Sequence, residues 1–291
     1  MASHFKEGTS AEYTPIEAPA ERIPVTSTGY RPTQPKKKRS IGRIISNALL
    51  ILGLLMLIAA GIMWGRAQFG YIQQDQQNER LAQFATVYDE QDGTVRPPTI
   101  DWAGLRAING DVVGWIYVPG TVINYPVYQG SDNDYYLDTN AEGQYGVGGQ
   151  IFMDFENTAP GMQDQQTIIY GHHLKNGAMF KQIADMENQE FFNSIKSVWY
   201  ITEEQNYELV PLMVYYTNPY DTNVRQFNFA SEEDYYLYLM NLLASSVASN
   251  PDAAQMITKS SHALTLGTCN YIDGYGRTLL VCVPKDEVGV A

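Results

Sequence analysis

The alternation of apolar and polar positions divides the chain near residue 65. Upstream, Ile44–Trp64 forms an apolar run of 21 residues without a charged side chain. At about 1.5 Å per residue a helix of that length spans roughly 30 Å, the hydrocarbon thickness of a bilayer. Downstream the apolar runs become short. Val112–Val118, Val122–Tyr128, Gly146–Asp154, Thr167–Gly171, Trp199–Thr202, Tyr207–Thr217, Leu264–Cys269 and Thr278–Val283 are separated by clusters of Gly, Pro, Asn and Asp. That pattern predicts the strands of an all-β barrel or sandwich. Helical spacing occurs in three other places. Ala67–Glu90 carries Phe69, Ile72, Leu81, Phe84 and Val87, and Ile100–Ile108 is a short helix. Glu232–Ala248 follows Ser231 as N-cap, has acidic residues in its first turn and stops before Asn250-Pro251.

Charge sharpens this division. The chain of 291 residues has a net charge of −13, which argues against nucleic-acid binding. Residues 1–43 nevertheless carry a net +4, with Lys36, Lys37, Lys38, Arg39 and Arg43 directly before the apolar run, and the remainder carries −17. Basic residues flank the cytoplasmic side of a span, so the N-terminus is expected in the cytoplasm and the acidic bulk outside. A cleaved signal peptide with Ala59-Ala60-Gly61 at its cleavage site is the competing reading. More than forty residues precede the run, and the run is long for a signal peptide, so an uncleaved anchor is preferred. The expected organisation is a disordered basic tail over 1–43, a transmembrane anchor over 44–64, a juxtamembrane helix or linker over 65–98 and an extracellular domain over 99–291.

The chain has two cysteines, Cys269 and Cys282. Cys282 lies within Thr278–Val283 and reads as a buried core thiol. Cys269 ends the strand-like Leu264–Cys269, and Arg277 follows after a Gly-rich turn. Far upstream stands Tyr170-Gly171-His172-His173. A thiol, an imidazole and a guanidinium are the parts needed for acyl transfer through a thioester. Free Cys and His titrate near 8.5 and 6.5, so an unassisted thiolate–imidazolium pair costs about 2.7 kcal/mol at neutral pH. A shared cleft and a nearby Arg277 offset part of that cost. Arg277 also suits a developing oxyanion, as does the backbone N–H of Asn270. Successive side chains on a strand face opposite ways, which assigns His173 a structural role or one supporting the site from behind. His262 and His4 show no partner. No cofactor or metal site is expected; Asp132, Asn133, Asp134 and Asp138 lack the Gly and Glu positions of an EF-hand and read as a solvated loop.

The words around these residues resemble those of sortases, in their class B form. Tyr170-Gly-His-His-Leu-Lys-Asn-Gly-Ala-Met-Phe180 is similar to the family's histidine motif. Leu264-Thr-Leu-Gly-Thr-Cys269, with Arg277 eight residues on, is similar to its Thr-Leu-x-Thr-Cys…Arg signature. Asn109–Val127, Asp132–Leu137 and Gly149–Asp154 also resemble class B segments, so the likeness covers roughly residues 100–283.

The resemblance implies an eight-stranded sortase β-barrel with added N-terminal helices and one long helix before the nucleophile strand. It implies a membrane-bound cysteine transpeptidase of a Gram-positive type cell. Such enzymes cleave a sorting pentapeptide after its Thr, hold the protein as a thioester and pass it to an amine on a cell-wall precursor or a pilin. By motif position His172, Cys269 and Arg277 carry the catalytic roles. Gly267, Thr268, Tyr271, Tyr216 and Tyr220 are candidates for substrate contact, and Tyr215–Arg225 with the long helix are candidate specificity elements. Two positions depart from the usual class B pattern: Gly267, where many members carry Ser, and Asn270, where an acidic residue is frequent. A tethered cysteine hydrolase and a catalytically weak surface scaffold remain as alternative readings.

Overall fold

The computed structural model describes residues 40–88, 95–218, 220–270 and 276–289. Its first element is α1, Ile41–Ala82, a helix long and apolar enough to cross a membrane, whose most apolar window is wholly exposed. The last turns of α1 are different: Gln74, Gln77 and Leu81 are buried. The helical spacing read over Ala67–Glu90 ends earlier than expected, at Ala82. Phe84 N–H turns back to the Leu81 carbonyl, and β1 (Ala85–Thr86) then pairs with β2 (Thr99–Ile100). Ile100 is therefore a strand residue. The next helix, α2 (Trp102–Ile108), starts behind Asp101, whose carboxylate accepts the Gly104 N–H at 2.9 Å. It is followed in chain order by α3 (Tyr135–Asp138), α4 (Lys181–Asp185), α5 (Gln189–Ser194), α6 (Glu232–Ala244) and α7 (Ala253–Ile257).

Among the described residues the nine longer strands form one sheet. In chain order they are β3 (Val112–Tyr117), β4 (Asn124–Tyr128), β5 (Ile151–Met153), β6 (Gln166–Tyr170), β7 (Val198–Ile201), β8 (Asn206–Thr217), β9 (Ser246–Ser249), β10 (Ala263–Asn270) and β11 (Gly276–Pro284). The spatial order is β11-β10-β6-β5-β4-β3-β7-β8-β9, and β11 also pairs with β8. Eight strands thus close into the expected barrel, with β9 added on the free edge of β8. Closure removes the two open edges that a flat sheet would expose.

Two expected elements are shorter than their sequence patterns. Gly146–Asp154 yields only the strand Ile151–Met153, because Gly149 adopts φ +49° and turns the chain before it. The helix α6 runs Glu232–Ala244, with Ser231 Oγ accepting the Asp234 N–H at 3.1 Å as anticipated. Its predicted last turn is β9 instead, since Ser246, Ala248 and Ser249 find backbone partners along β8.

Packing follows the period-two alternation of the strands. Along β11, Leu280 and Cys282 face the barrel interior with Ile116, Val127, Met153, Leu264 and Leu266. Val281 and Val283 face outward, under α6 and α7 (Ala253–Ile257), where Tyr235, Leu239, Met256 and Ile257 cover them. A third cluster joins Leu81 of α1 and Leu105 of α2 to Trp115, Tyr128, Tyr136 and Phe152.

Candidate active site

Two strand registers bring the sequence-distant residues to one rim of the barrel. β6 and β10 run parallel with Gly267 opposite Tyr170, so both chains leave the barrel in the same direction. The Gly171 N–H donates to the Gly267 carbonyl at 3.0 Å and holds the two exits together. His172 lies two residues past Tyr170, and Cys269 two past Gly267. β10 and β11 are antiparallel, and their register sets Arg277 directly across from Cys269. The spacing of eight residues between thiol and guanidinium is thus the spacing of a strand pair.

These side chains open onto a cavity of about 410 Å³. His172, Gly267, Thr268, Cys269, Arg277 and Tyr220 all line it. Cys269 is exposed, whereas Cys282 is fully enclosed and its burial pushes the thiol pKa up. Thr268 is 3% exposed and its Oγ1 makes no hydrogen bond among the described residues. Tyr220, 89% exposed, stands on the outer lip. Tyr216 is not brought to the cavity. Its hydroxyl donates to the Glu187 carboxylate, and burial with that partner raises its pKa. Asn270 closes β10 opposite Gly276, and Tyr271 lies outside the described residues.

The two adjacent histidines lie past the end of β6, outside the strand whose alternation was expected to separate them, and make different contacts. His172 Nε2 lies 2.6 Å from the Leu137 carbonyl oxygen, and His173 Nδ1 lies 2.9 Å from that of Cys269. His173 therefore fastens the loop after β6 to the end of β10 and is not a lining residue. His262 does have a partner: its Nδ1 lies 2.6 Å from Glu287 Oε1, and that carboxylate raises the imidazole pKa.

Sequence reasoning missed the polar cluster beside the cavity, in which Tyr170, Asn133 and Arg225 line it and Asp154 binds all three. Asp154, fully buried at the end of β5, receives a two-pronged bond from Arg225, Nε and Nη2 each at 2.8 Å. Tyr170 Oη donates to the same carboxylate at 2.8 Å and Asn133 Nδ2 at 3.0 Å. Burial opposes the charge on Asp154, but Arg225, the Glu156 N–H and Tyr170 outweigh it and hold the pKa below the usual carboxylate range. Burial and the neighbouring Asp154 push the Tyr170 hydroxyl upward. The Arg277 guanidinium lies 5.9 Å from the centre of the Tyr170 ring, a cation–π contact. Arg225 also belongs to the segment carrying Tyr220, Asp221 and Thr222, so its bond to Asp154 ties that wall to the barrel. Asp154 and Asn133 both fall in segments that carry the class B resemblance, which was the available signal.

In the loop of Asp132, Asn133 and Asp134 the last two line the cavity, while Asp132 serves local structure. Asp132 Oδ1 accepts the N–H groups of Tyr135 and Asp134 at 2.9 Å each, which lowers its pKa. Gly267 has a packing reason as well. A Cβ there would lie 3.2 Å from Cδ1 of Tyr170 and 3.1 Å from Cδ2 of Leu279, tighter than ordinary contact.

Comparison with known proteins places this architecture. The Sortase domain profile matches residues 116–285. Sortase B of Staphylococcus aureus (strain NCTC 8325 / PS 47) is 32% identical over 234 residues, 79% of this chain and 92% of that protein. Sortase B of Listeria monocytogenes serovar 1/2a is 32% identical over 181 residues, 62% of this chain and 72% of that protein. Sortase B from B. anthracis in complex with AAEK1 superposes with a TM-score of 0.61 at 30% identity, covering 74% of this chain and 99% of that one. The Staphylococcus aureus sortase B–substrate complex gives 0.57 at 32% identity, covering 62% and 83%. The chain belongs to the sortase family, the cysteine transpeptidases that cleave sorting signals. Its relatives are class B sortases, and that is the branch on which it falls.

Proposed function

We propose that this chain is a membrane-anchored sortase that cleaves its sorting signal after a Thr through a thioester on Cys269. The observation that carries the reading is the meeting of Cys269, His172 and Arg277 around one cavity of about 410 Å³. The Cys269 thiolate attacks the Thr carbonyl carbon, and the carbon–sulfur bond forms as the carbonyl π electrons move to oxygen. Arg277 and the Asn270 backbone N–H meet that oxyanion. The carbon–nitrogen bond then breaks, and the departing amine takes a proton from the His172 imidazolium. An incoming amine attacks the thioester, returns its proton to His172 and releases the thiolate. The acceptor is an amine on a cell-wall precursor or a pilin.

The apolar Ile44–Trp64 stretch of α1 is the anchor in this reading, with the basic residues before it in the cytoplasm and the barrel outside. The residues over 65–98 then link anchor to domain, and residues 99–291 form the catalytic domain. Gly267, Thr268 and Tyr220 are the substrate-contacting candidates that line the cavity. The Thr268 hydroxyl is buried without a partner among the described residues and so has hydrogen-bonding capacity to offer a substrate.

The test is intact mass spectrometry of the full-length chain in detergent with pooled sorting-signal peptides, with and without an added amine. An adduct ending in the peptide's Thr, absent from Cys269→Ala and discharged as an amide by the amine, is the expected result. Discharge to the free acid at a rate the amine leaves unchanged identifies a hydrolase. No adduct from folded protein with a titratable Cys269 thiol removes the thioester reading.

A further inference from the structure

The contact between His172 Nε2 and the Leu137 carbonyl decides which imidazole nitrogen is available for chemistry. A carbonyl oxygen accepts and never donates, so at 2.6 Å the proton of that bond resides on Nε2. We propose that the Leu137 carbonyl positions His172, fixing the ring so that Nδ1 is the nitrogen that exchanges protons with the thiol and the departing amine. This rests on the catalytic role proposed above for His172. Leu137 thereby does with its backbone what a buried carboxylate does for the histidine of other nucleophilic enzymes.

The carbonyl is held in place from several sides. Leu137 belongs to α3, Tyr135–Asp138, a single turn whose carbonyls have no helical partners of their own. Asp132 fixes the start of that turn through the two N–H groups already described. Tyr136 is fully buried, donates its hydroxyl to Asp111 Oδ2 at 2.7 Å and accepts from Asn109 Nδ2 at 2.9 Å. Its ring stacks on Tyr128 with centroids 5.4 Å apart, and its carbonyl accepts the Gln150 N–H at 2.9 Å.

Gly149 is what allows the backbone to close in behind. A Cβ at this position would lie 2.0 Å from the Tyr136 carbonyl oxygen and 2.6 Å from the Leu137 oxygen itself. No side chain at residue 149 is compatible with the oxygen that His172 uses. The buried Gln74 of α1 braces the same segment, with Oε1 accepting the Gly148 N–H at 3.1 Å.

Long-range proton–nitrogen NMR of the full-length chain in detergent, labelled with ¹⁵N-histidine, reads the tautomer directly. His172→Gln assigns the signals. The neutral His172 ring is expected to show a protonated, pyrrole-type Nε2 and a bare Nδ1; a bare Nε2 overturns the proposal. This readout is independent of turnover, so it stands apart from the adduct experiment above.

Gly149→Ala is the functional arm. It should lower kcat by roughly tenfold to a hundredfold with KM within about twofold of wild type, and give a mixture of His172 tautomers. Gly143→Ala is the comparator, because it imposes a similar left-handed backbone, φ +76°, where the nearest atom to a new Cβ is 3.7 Å away. Equal losses in both variants, with an unchanged tautomer, refute the positioning role. If Gly149→Ala does not fold, the wild-type spectrum decides.

Discussion

Cys282 lies inside β11, fully enclosed among aliphatic side chains, whereas Cys269 is the penultimate residue of β10, at the barrel rim, and is exposed. The two thiols belong to paired strands, yet different physics surrounds them. Around Cys282 the neighbours are Leu264, Leu280 and Val214, chosen by volume and alternation. Around Cys269 the neighbours are glycines, carbonyls, two histidines and two arginines, placed by hydrogen bonds and backbone approach. The lesson is that a strand contributes stability through its middle and chemistry through its end.

Substitution separates the two ends of this comparison most sharply. Cys269→Ala should reduce transpeptidation by about 10⁴-fold or more while leaving the melting temperature within a few degrees. Detectable turnover near the wild-type rate would remove the thiol from the mechanism. Arg277→Lys should cost roughly a hundredfold in kcat/KM, since a point ammonium reproduces neither the planar fork nor the stacking on Tyr170.

The next effects shift from rate to stability. Arg225→Met leaves buried Asp154 without its strongest partner and should cost roughly 3 kcal/mol in denaturant unfolding. It should also raise KM as the Tyr220–Thr222 wall loosens. The sign with pH follows from Asp154, whose folded pKa is depressed. Its contribution is present above the unfolded value of about 3.9 and is lost as pH falls through the lower folded value. The variant should therefore lose its deficit in strongly acidic solution. A deficit that persists there places the energy elsewhere.

Cys282→Ser should be milder, about 1–3 kcal/mol from a buried hydroxyl without a partner, with acylation retained below the melting point. Loss of acylation in folded Cys282→Ser would blur the distinction between the two cysteines.

The smallest effect is expected at His262–Glu287, on the opposite side of the comparison from any chemistry. The folded pKa of His262 is raised, so its stabilisation is complete below about pH 6.5 and fades as pH rises through the folded value. Glu287 is depressed despite burial, so its share fades as pH falls through its own folded value below about 4.5. The pair is part-exposed, and His262→Gln should cost under about 1 kcal/mol, most visibly between those limits. A pH-independent loss would mean that packing, not charge, is at work.

How much of this was legible beforehand varies with the kind of force involved. The barrel strands followed from alternation, and α6 began at Ser231 as its cap demanded. Cys269, His172 and Arg277 could be picked out by residue type and by the words around them. What resisted reading was long-range backbone pairing. Nothing local says that Ser246–Ser249 leaves a helix for the edge of β8, or that Gly149 must turn left-handed beneath Tyr136. The Asp154–Arg225 pair is likewise a contact between segments distant in sequence, visible only once β5 and the loop after β8 are brought together. His262 lacked a partner in sequence because Glu287 reaches it from beyond β11.

The parallel pairing of β6 with β10 also has a kinetic meaning. A parallel pair needs a crossover, and here the crossover comprises β7, β8, β9 and the helices between, so the contact is highly non-local. Such contacts form late, because the chain entropy of closing the loop is lost before the contact rewards it. The thiol, the imidazole and the guanidinium meet only when β10 and β11 complete the barrel. A partly folded chain therefore holds a cysteine, but not the assembled cavity on which the proposed acyl transfer rests.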